Sequence, residues 1–266
     1  MSLKSTLESI RLKLRDSLPP AIGMCFTLRA NPLLGLAFLL FQKQFRIERM
    51  TFSVPLRDQP LGSLATYWFS DYEAPERSFC KRFIKPSDRV CELGGCLGVV
   101  SMVVNRLLTV PSDHLVVEAN PEMIGFLERN REKNKGSFRI LHRAVGDGND
   151  VEMLISSGIL TSTRSHENHV QSMRVKGCTL AELQAKEGPF DTLIMDIEGA
   201  ETQVILESDD WKAMRLIILE WHPSIITIEN VTAGRKRLDE AGFRCVATKE
   251  GDCHIVEAWE KNHQPN

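Results

Sequence analysis

The chain lacks the features of nucleic-acid-binding, metal-finger and membrane-spanning proteins. Its 33 basic and 35 acidic residues nearly cancel, which leaves no positive excess for a polynucleotide. Its seven cysteines include no C-x-x-C pair and are odd in number, a pattern typical of buried thiols in a reducing compartment. The longest apolar run, residues 33–41, is far below the roughly 20 residues that a spanning helix needs. We therefore expect a cytoplasmic protein with no nucleic-acid partner and no spanning segment.

The first 70 residues form a region of their own in the sequence pattern. Residues 1–18 are charged and helical in pattern with no secretory signal, and a second helix over residues 32–44 begins with an Asn-Pro start. Packed helices are the favoured interpretation, and they offer a surface for a homo-oligomer. Basic residues around the apolar run leave a peripheral contact with a membrane surface as the alternative. We predict an N-terminal helical extension, residues 1–70, and a main domain, residues 71–266.

From residue 89 onward, short apolar segments alternate with helical patterns. Strands are predicted at residues 89–93, 114–118, 138–142, 190–196, 215–221, 243–248 and 253–258. Helices are predicted at residues 73–84, 98–109, 121–134, 179–186, 200–207 and 229–241. Residues 149–175 interrupt this alternation with two short β-like pieces around a polar loop. The pattern predicts an α/β, Rossmann-like fold with a mostly parallel seven-stranded sheet, helices on both faces and an antiparallel C-terminal hairpin strand.

The segment ELGGCLG, residues 92–98, joins the first of these strands to a helix. Gly94 and Gly98 let the backbone approach a ligand closely, and the helix start beyond them offers unpaired N–H groups. Glu118 ends the next strand, where a two-acceptor side chain would bind both ribose hydroxyls of a nucleoside. A tight strand-to-helix turn with no ligand is the alternative. The presence of Glu118 makes that alternative less favoured.

The glycine spacing distinguishes a turn that binds a dinucleotide from one that binds a nucleoside without phosphate. The dinucleotide fingerprint is G-x-G-x-x-G, whereas this turn has the form E-x-G-x-x-x-G, with Glu92 two residues before Gly94. An acid at that place would repel a diphosphate but attract a positively charged or amino-bearing group. S-adenosylmethionine is a ligand of this kind. A nucleotide-dependent oxidoreductase on a similar fold remains the second interpretation.

Carboxylates are concentrated where the predicted parallel strands end. Ligands of such sheets bind outside the carboxyl ends of the strands. The residues at these ends are Glu92, Gly94, Gly95, Cys96, Gly98, Glu118, Ala119, Asn120, His142, Arg143, Ala144, Asp196, Glu198, Glu201, Glu220 and His222. A carboxylate beside a buried strand costs desolvation free energy, which a cationic ligand or a metal would offset.

Several of these residues have an alternative role beside the functional one. Asn120 is also a good helix cap, and Arg143, which with Ala144 falls at the expected adenine edge, could equally be a surface charge. Cys96 would contact the cofactor through its backbone rather than act as a nucleophile. His166 and His169 are weaker candidates for shaping an acceptor pocket.

Asp196 and His222 are the candidate catalytic residues. Asp196 would lie near the methionine end of the cofactor or the acceptor, and His222 would take a hydroxyl proton because its ordinary pKa is near neutrality. A loop residue with no chemical role is the alternative for His222. A Mg²⁺ site made by Asp196, Glu198 and Glu220 is a less favoured hypothesis, because no standard metal-loop spacing is present.

Four motifs together resemble the FkbM family of S-adenosylmethionine-dependent methyltransferases. They are ELGGCLG, VVEANP at residues 116–121, MDIEGAE at residues 195–201 and ILEWHP at residues 218–223. The first departs from the family pattern D-x-G-A-N-x-G, since Glu92 replaces Asp and Gly95-Cys96 replaces Ala-Asn. The resemblance, which covers residues 72–223, implies a class I methyltransferase fold and S-adenosylmethionine as cofactor. It also implies O-methylation of a hydroxyl on a sugar, a glycan or a small secondary metabolite, with a non-catalytic cofactor-binding module as the alternative.

Overall fold

The computed structural model describes residues 31–56, 59–69, 71–155, 171–209, 211–251 and 254–262. The predicted helix at residues 1–18 and the candidates His166 and His169 lie outside the described residues. The chain divides into two compact units, Met1–Tyr72 and Glu73–Asn266. The described part contains no helix that is both long enough and apolar enough to cross a bilayer.

The first unit combines short helices with a β-hairpin around aromatic side chains. Its elements are α1 (Pro32–Ala37), a π-helical turn (Phe38–Gln42), β1 (Gln44–Ile47), β2 (Met50–Ser53), α2 (Leu61–Leu64) and a 3₁₀ turn (Ala65–Trp68). The sequence predicted a helix over residues 32–44; the helical turns end at Gln42, two residues earlier, and β1 was not predicted. Lys43 adopts a left-handed conformation with φ of 55°, so the helix ends there and β1 pairs antiparallel with β2. Phe45 stacks on Phe52 and Tyr67 at the centre of the unit.

The second unit alternates strands and helices as the sequence pattern predicted. Its helices are α3 (Ala74–Phe83), α4 (Val99–Leu107), α5 (Pro121–Lys133), α6 (Leu180–Glu187), α7 (Glu201–Glu207), α8 (Pro223–Ile226) and α9 (Ile228–Glu240). Its strands are β3 (Val90–Leu93), β4 (His114–Glu118), β5 (Arg139–His142), β6 (Ala144–Val145), β7 (Val151–Ile155), β8 (Gln171–Val175), β9 (Gly177–Cys178), β10 (Thr192–Met195), β11 (Leu216–Trp221), β12 (Phe243–Glu250) and β13 (Ile255–Lys261).

Seven of these strands form the central sheet, in the order β12-β13-β11-β10-β3-β4-β5. The pairs among β11, β10, β3, β4 and β5 are parallel, and β13 runs antiparallel to both of its neighbours. The small pairs β6–β9 and β7–β8 lie between β5 and α6 in the chain. The arrangement confirms the predicted Rossmann-like fold with one antiparallel strand in the C-terminal hairpin.

Apolar side chains on both faces of the sheet are covered by helices. Successive strand residues point to opposite faces, so Leu193 and Ile194 enter different core clusters. The cluster around Leu193 includes side chains of α6, α7 and α9, among them Leu183 and Ile205. The other cluster includes side chains of α3 and α4. The carboxyl ends of the parallel strands lie at the edge between these layers, where the candidate site residues meet.

Candidate active site

The glycine turn between β3 and α4 packs directly against the end of β10. Gly94 has a φ of 92°, and a Cβ atom at this position would lie 1.7 Å from the backbone oxygen of Asp196. Gly98, with φ of 78°, precedes the first residue of α4. No other residue type fits Gly94 without moving one of the two turns. The close approach places the acid after β10 beside the acid that ends β3.

Glu118 ties the end of β4 to the glycine turn. Its Oε2 accepts a hydrogen bond from the backbone N–H of Cys96, and its Oε1 accepts one from Asn120, both at 2.7 Å. Burial raises the pKa of the Glu118 carboxyl, and these N–H donors oppose the rise. Each oxygen keeps a second lone pair for another donor. Asn120 also accepts from the N–H of Glu122 at 3.0 Å, so its predicted role as the cap of α5 is present.

Glu92 lies deep in the fold and fixes the base of the turn. Its Oε1 accepts from the Ser101 hydroxyl at 2.7 Å, and its Oε2 lies 2.9 Å from Nε2 of His114. These contacts connect β3 to α4 and β4. Sequence reasoning did not identify His114 as a partner, because the pairing joins neighbouring strands rather than a local motif. Glu92 therefore orients the turn through a buried network.

The predicted residues after β4 and β5 form a group beside Glu118. The backbone N–H of Arg143 donates to the backbone oxygen of Glu118 at 3.1 Å. The Arg143 guanidinium donates to the backbone oxygen of His142, whose ring lies 3.0 Å from the backbone oxygen of Ala119. Ala144 is buried at the start of β6. These residues surround the end of β4 and do not line the acidic pocket described next.

A narrow pocket lies between the glycine turn and the ends of β10 and β11. Its acidic lining residues are Glu73, Glu76, Glu92, Asp196 and Glu220. Glu73 and Glu76 were not predicted as site residues. The available signal was the position of Glu76 on the buried stripe of α3, since Phe79 and Cys80 follow it by one helical turn and are buried. A carboxylate on such a stripe needs a partner.

His222 lies at the centre of a ring of carboxylates after β11. Its Nδ1 lies 3.2 Å from Oε1 of the fully buried Glu201. Its Nε2 faces Glu198 at 3.4 Å, Glu220 at 3.6 Å and Asp196 at 3.7 Å. The structure thus brings together the predicted catalytic pair and the predicted metal ligands. It adds Glu201 as the group that holds the imidazole ring.

The chain matches one known protein family over more than half of its length. The family model for the methyltransferase FkbM domain matches residues 100–245. The chain belongs to the FkbM methyltransferase family. It is therefore an S-adenosylmethionine-dependent methyltransferase, which confirms what the sequence resemblance implied. In this FkbM-family chain, the glycine turn precedes the matched segment, whereas Glu118, Asp196 and His222 lie within it.

Solved methyltransferase structures are similar to this FkbM-family chain at low sequence identity. A ribosomal protein L11 methylase from Lactobacillus delbrueckii subsp. bulgaricus is 14% identical, with 73% of this chain and 80% of that chain covered and a TM-score of 0.48. TrmK from M. capricolum, in complex with S-adenosylhomocysteine, is 14% identical over 70% and 67% of the two chains, with a TM-score of 0.44. An O-methyltransferase from Bacillus cereus, in complex with SAH, is 13% identical over 71% and 82%, with a TM-score of 0.42. No curated protein matches the chain.

The carboxyl groups around His222 in this FkbM-family chain have raised pKa values. Burial raises the pKa of the Asp196, Glu198 and Glu220 carboxyls, and the charge of Asp196 adds to the rise at Glu220. Burial opposes the charged form of His222, but its hydrogen bond to Glu201 and the charges of Asp196 and Glu198 outweigh burial and raise its pKa to about 9. The imidazole of His222 is therefore protonated at neutral pH and lies among carboxyls that hold their protons more tightly than usual. Such a site favours a ligand that brings positive charge.

Proposed function

We propose that this methyltransferase moves the methyl group of S-adenosylmethionine to a hydroxyl oxygen of a sugar or a small secondary metabolite. The observation that carries the proposal is the acidic pocket beside the glycine turn. S-adenosylmethionine presents a sulfonium and an ammonium group. Buried carboxylates that repel one another would be stabilised by these positive charges. The pocket thus fits the methionine end of this cofactor better than a diphosphate.

The remaining cofactor contacts follow from the positions around Glu118. Glu118 already accepts hydrogen bonds from the backbone N–H groups of Cys96 and Asn120. The second lone pair on each carboxylate oxygen would accept a hydrogen bond from a ribose hydroxyl. Gly94 and Gly95 would pass close to the methionine end, because both line the pocket. Arg143 and Ala144 would flank the adenine ring. Ala119 and Asn120, which follow Glu118 directly, would lie beside the ribose.

The transfer step needs alignment and a destination for one proton. The hydroxyl oxygen forms a bond to the methyl carbon as the carbon–sulfur bond breaks, which leaves S-adenosylhomocysteine and an ether, and the hydroxyl proton passes to the enzyme. Asp196 lines the pocket, and His222 Nε2 lies 3.7 Å from it, so an acceptor hydroxyl would be bound beside these two residues. His222 has a pKa of about 9, so it can take this proton only after a bound cation has lowered its proton affinity. Its role as the base therefore depends on what occupies the ring of acids.

A calorimetric titration of the full chain with S-adenosylmethionine tests the cofactor assignment. We expect micromolar binding to the wild-type protein, loss of binding in Glu118→Ala and no binding of NAD. Transfer of a labelled methyl group to a panel of glycans and small hydroxyl compounds then tests the reaction. Absence of cofactor binding by folded wild-type protein would refute the site, and binding without transfer to any acceptor would favour a non-catalytic module.

We also propose a reducing compartment and an apolar contact through the first unit. Among the described residues, no disulfide joins the cysteines, and burial raises the pKa of the Cys80 and Cys91 thiols, which keeps them unreactive. Leu33 and Phe41 are largely exposed on the first unit. A second copy of the chain or a membrane surface is the expected partner of that patch, and sedimentation of the protein with and without liposomes separates the two.

A further inference from the structure

We propose that Asp196, Glu220 and His222 bind a first-row divalent transition-metal ion such as Mn²⁺. One donor atom from each of the three residues lies within 4.8 Å of the others. His222 Nε2 lies 3.7 Å from Asp196 and 3.6 Å from Glu220, beyond hydrogen-bond contact. Donors that each lie about 2.0–2.2 Å from one cation are separated by distances of this size.

The imidazole ring is already held in the orientation that a metal ligand requires. Glu201 occupies the Nδ1 side of His222 at 3.2 Å. Glu201 is itself fixed, because its carboxylate also accepts hydrogen bonds from the backbone N–H groups of Ile197 and Gly199. A histidine that ligates a metal usually donates its other ring N–H to such a carboxylate. The Nε2 lone pair of His222 is thereby directed at Asp196 and Glu220.

An independent observation at the same site is a buried carboxylate oxygen with no partner. Glu76 is 5% exposed and lines the same pocket as Glu220. Among the described residues, no group donates to Oε2 of Glu76, and the buried Oδ1 of Asp196 likewise accepts no hydrogen bond. An unsatisfied buried oxygen costs free energy that a nearby cation would recover.

The mixed donor set determines the kind of ion. Mg²⁺ and Ca²⁺ prefer oxygen donors alone, whereas an imidazole beside carboxylates suits Mn²⁺, Fe²⁺ or Zn²⁺. The sequence hypothesis placed Mg²⁺ on Asp196, Glu198 and Glu220. His222 replaces Glu198 in the set inferred here, because the donor atoms that all lie within 4.8 Å of one another come from Asp196, Glu220 and His222.

The catalytic consequence rests on the proposed methyl transfer, although binding of the ion does not. A cation at this place would displace the Nε2 proton of His222 and make that residue a ligand rather than a base. It would also lower the pKa of an acceptor hydroxyl that reached it. The proton would then pass to Glu198, the nearest remaining carboxylate to Nε2.

Binding is tested on full-length protein stripped with a chelator and free of S-adenosylmethionine. Mn²⁺ is titrated in and the free ion is followed by electron paramagnetic resonance. We expect one ion per chain, with the dissociation constant raised at least about tenfold in His222→Gln and in Glu220→Gln. His254→Gln is the matched control, because His254 Nδ1 lies 3.6 Å from the same Glu220 oxygen outside the ligand set. Its dissociation constant should stay within twofold of wild type. Circular dichroism and thermal unfolding confirm that each variant is folded.

The outcomes separate this inference from the proposed function. Absence of saturable Mn²⁺ and Zn²⁺ binding to folded wild-type protein would overturn the metal site. Equal affinity in wild type and His222→Gln would overturn it as well. Calorimetry of the same samples with S-adenosylmethionine is independent of both results, and a failure there would refute the cofactor assignment while leaving the metal measurement intact.

Discussion

At the scale of single residues, the site depends on backbone contacts that no side chain could replace. Gly94 combines a left-handed backbone with a distance that excludes a Cβ atom, and the neighbouring group is the backbone of Asp196. The turn that would hold the cofactor and the acid that would face its methionine end are therefore fixed relative to each other. Sequence patterns predicted the glycine, but not the identity of the atom that requires it.

Gly94→Ala should weaken S-adenosylmethionine binding more than tenfold, because the new methyl group forces the turn away from Asp196. Calorimetric titration measures the effect. Gly125→Ala in α5 is the control, since its Cβ would meet only the tip of Arg129 at 3.7 Å. That change should leave binding unaltered and raise helix stability by up to about 1 kcal/mol. Normal affinity in Gly94→Ala would show that the turn does not contact the cofactor.

The raised pKa values at the acidic site predict how stability depends on pH. His222, Asp196 and Glu220 all have a raised pKa in the folded state, so the folded protein binds more protons than the unfolded chain. Stability is then greatest at low pH within this range and falls as pH rises from about 5 to 9. In chelator, Glu220→Gln should reduce this fall and raise the melting temperature at pH 8 by about 2 °C or more.

Calorimetric scans at pH 6, 7, 8 and 9 measure this dependence. Glu229→Gln is the control, because Glu229 is exposed at the start of α9 and its pKa is lowered by local hydrogen bonds. A wild-type melting temperature that rises from pH 6 to pH 9 would show that the pKa values of these carboxyls are not raised in the folded state.

At the scale of elements, helix and strand positions followed from periodicity and local start signals. The start of α6 was predicted at Thr179, and the structure shows Thr179 as its cap. The elements that sequence reasoning missed lack such signals. Strand β1 begins after Lys43, a residue type that rarely marks a left-handed stop. Glu76 joins the site through the packing of α3. Long-range pairs such as Glu92 with His114 require the strand order, which no local pattern contains.

Thr179→Ala should lower the free energy of unfolding by about 1 kcal/mol, because the cap is reciprocal. The Thr179 hydroxyl accepts from the N–H of Glu182, and the Glu182 carboxylate accepts from the N–H of Thr179, both at 3.1 Å. Urea unfolding measures the loss. Thr232→Ala, on the exposed face of α9, should change the free energy by less than about 0.5 kcal/mol. Equal effects at both positions would argue against the capping box.

At the scale of the whole molecule, one buried ion pair joins segments that are far apart in the chain. Asp88, before β3, accepts from the Thr192 hydroxyl at 3.0 Å and from the guanidinium of Arg215. Arg215 also donates to the backbone oxygen of Phe83 at the end of α3. The pair thus connects the amino ends of β3, β10 and β11 to a helix. This end of the sheet is opposite to the site, so the pair supports the fold rather than the chemistry.

Asp88→Ala should cost about 3 kcal/mol of stability, since it leaves a partly buried guanidinium without its carboxylate. Thermal unfolding measures the change. Asp209→Ala removes the exposed partner of Arg237 and should cost less than about 1 kcal/mol. A cost at position 88 no larger than at position 209 would show that the pair is not part of the stabilising framework.

The second unit contains every described residue of the site. We expect residues 73–266 expressed alone to fold and to bind S-adenosylmethionine with the affinity of the full chain, because none of the described residues in Met1–Tyr72 belongs to the site. Calorimetry on the two proteins checks this. Loss of binding in the shorter protein would mean that the first unit takes part in cofactor recognition, contrary to the predicted division into an extension and a methyltransferase domain.

The position of β13 between β12 and β11 has a consequence for the order in which the protein is made. During synthesis on the ribosome, β11 is complete at residue 221, but its outer side stays an open edge until the strand ending at residue 261 has emerged. Strand β13, which is translated after both of its neighbours, must therefore enter the interior of the sheet. A stalled nascent chain that lacks β13 would present an unpaired edge to other proteins, and chaperone demand should be high while residues 222–261 are translated.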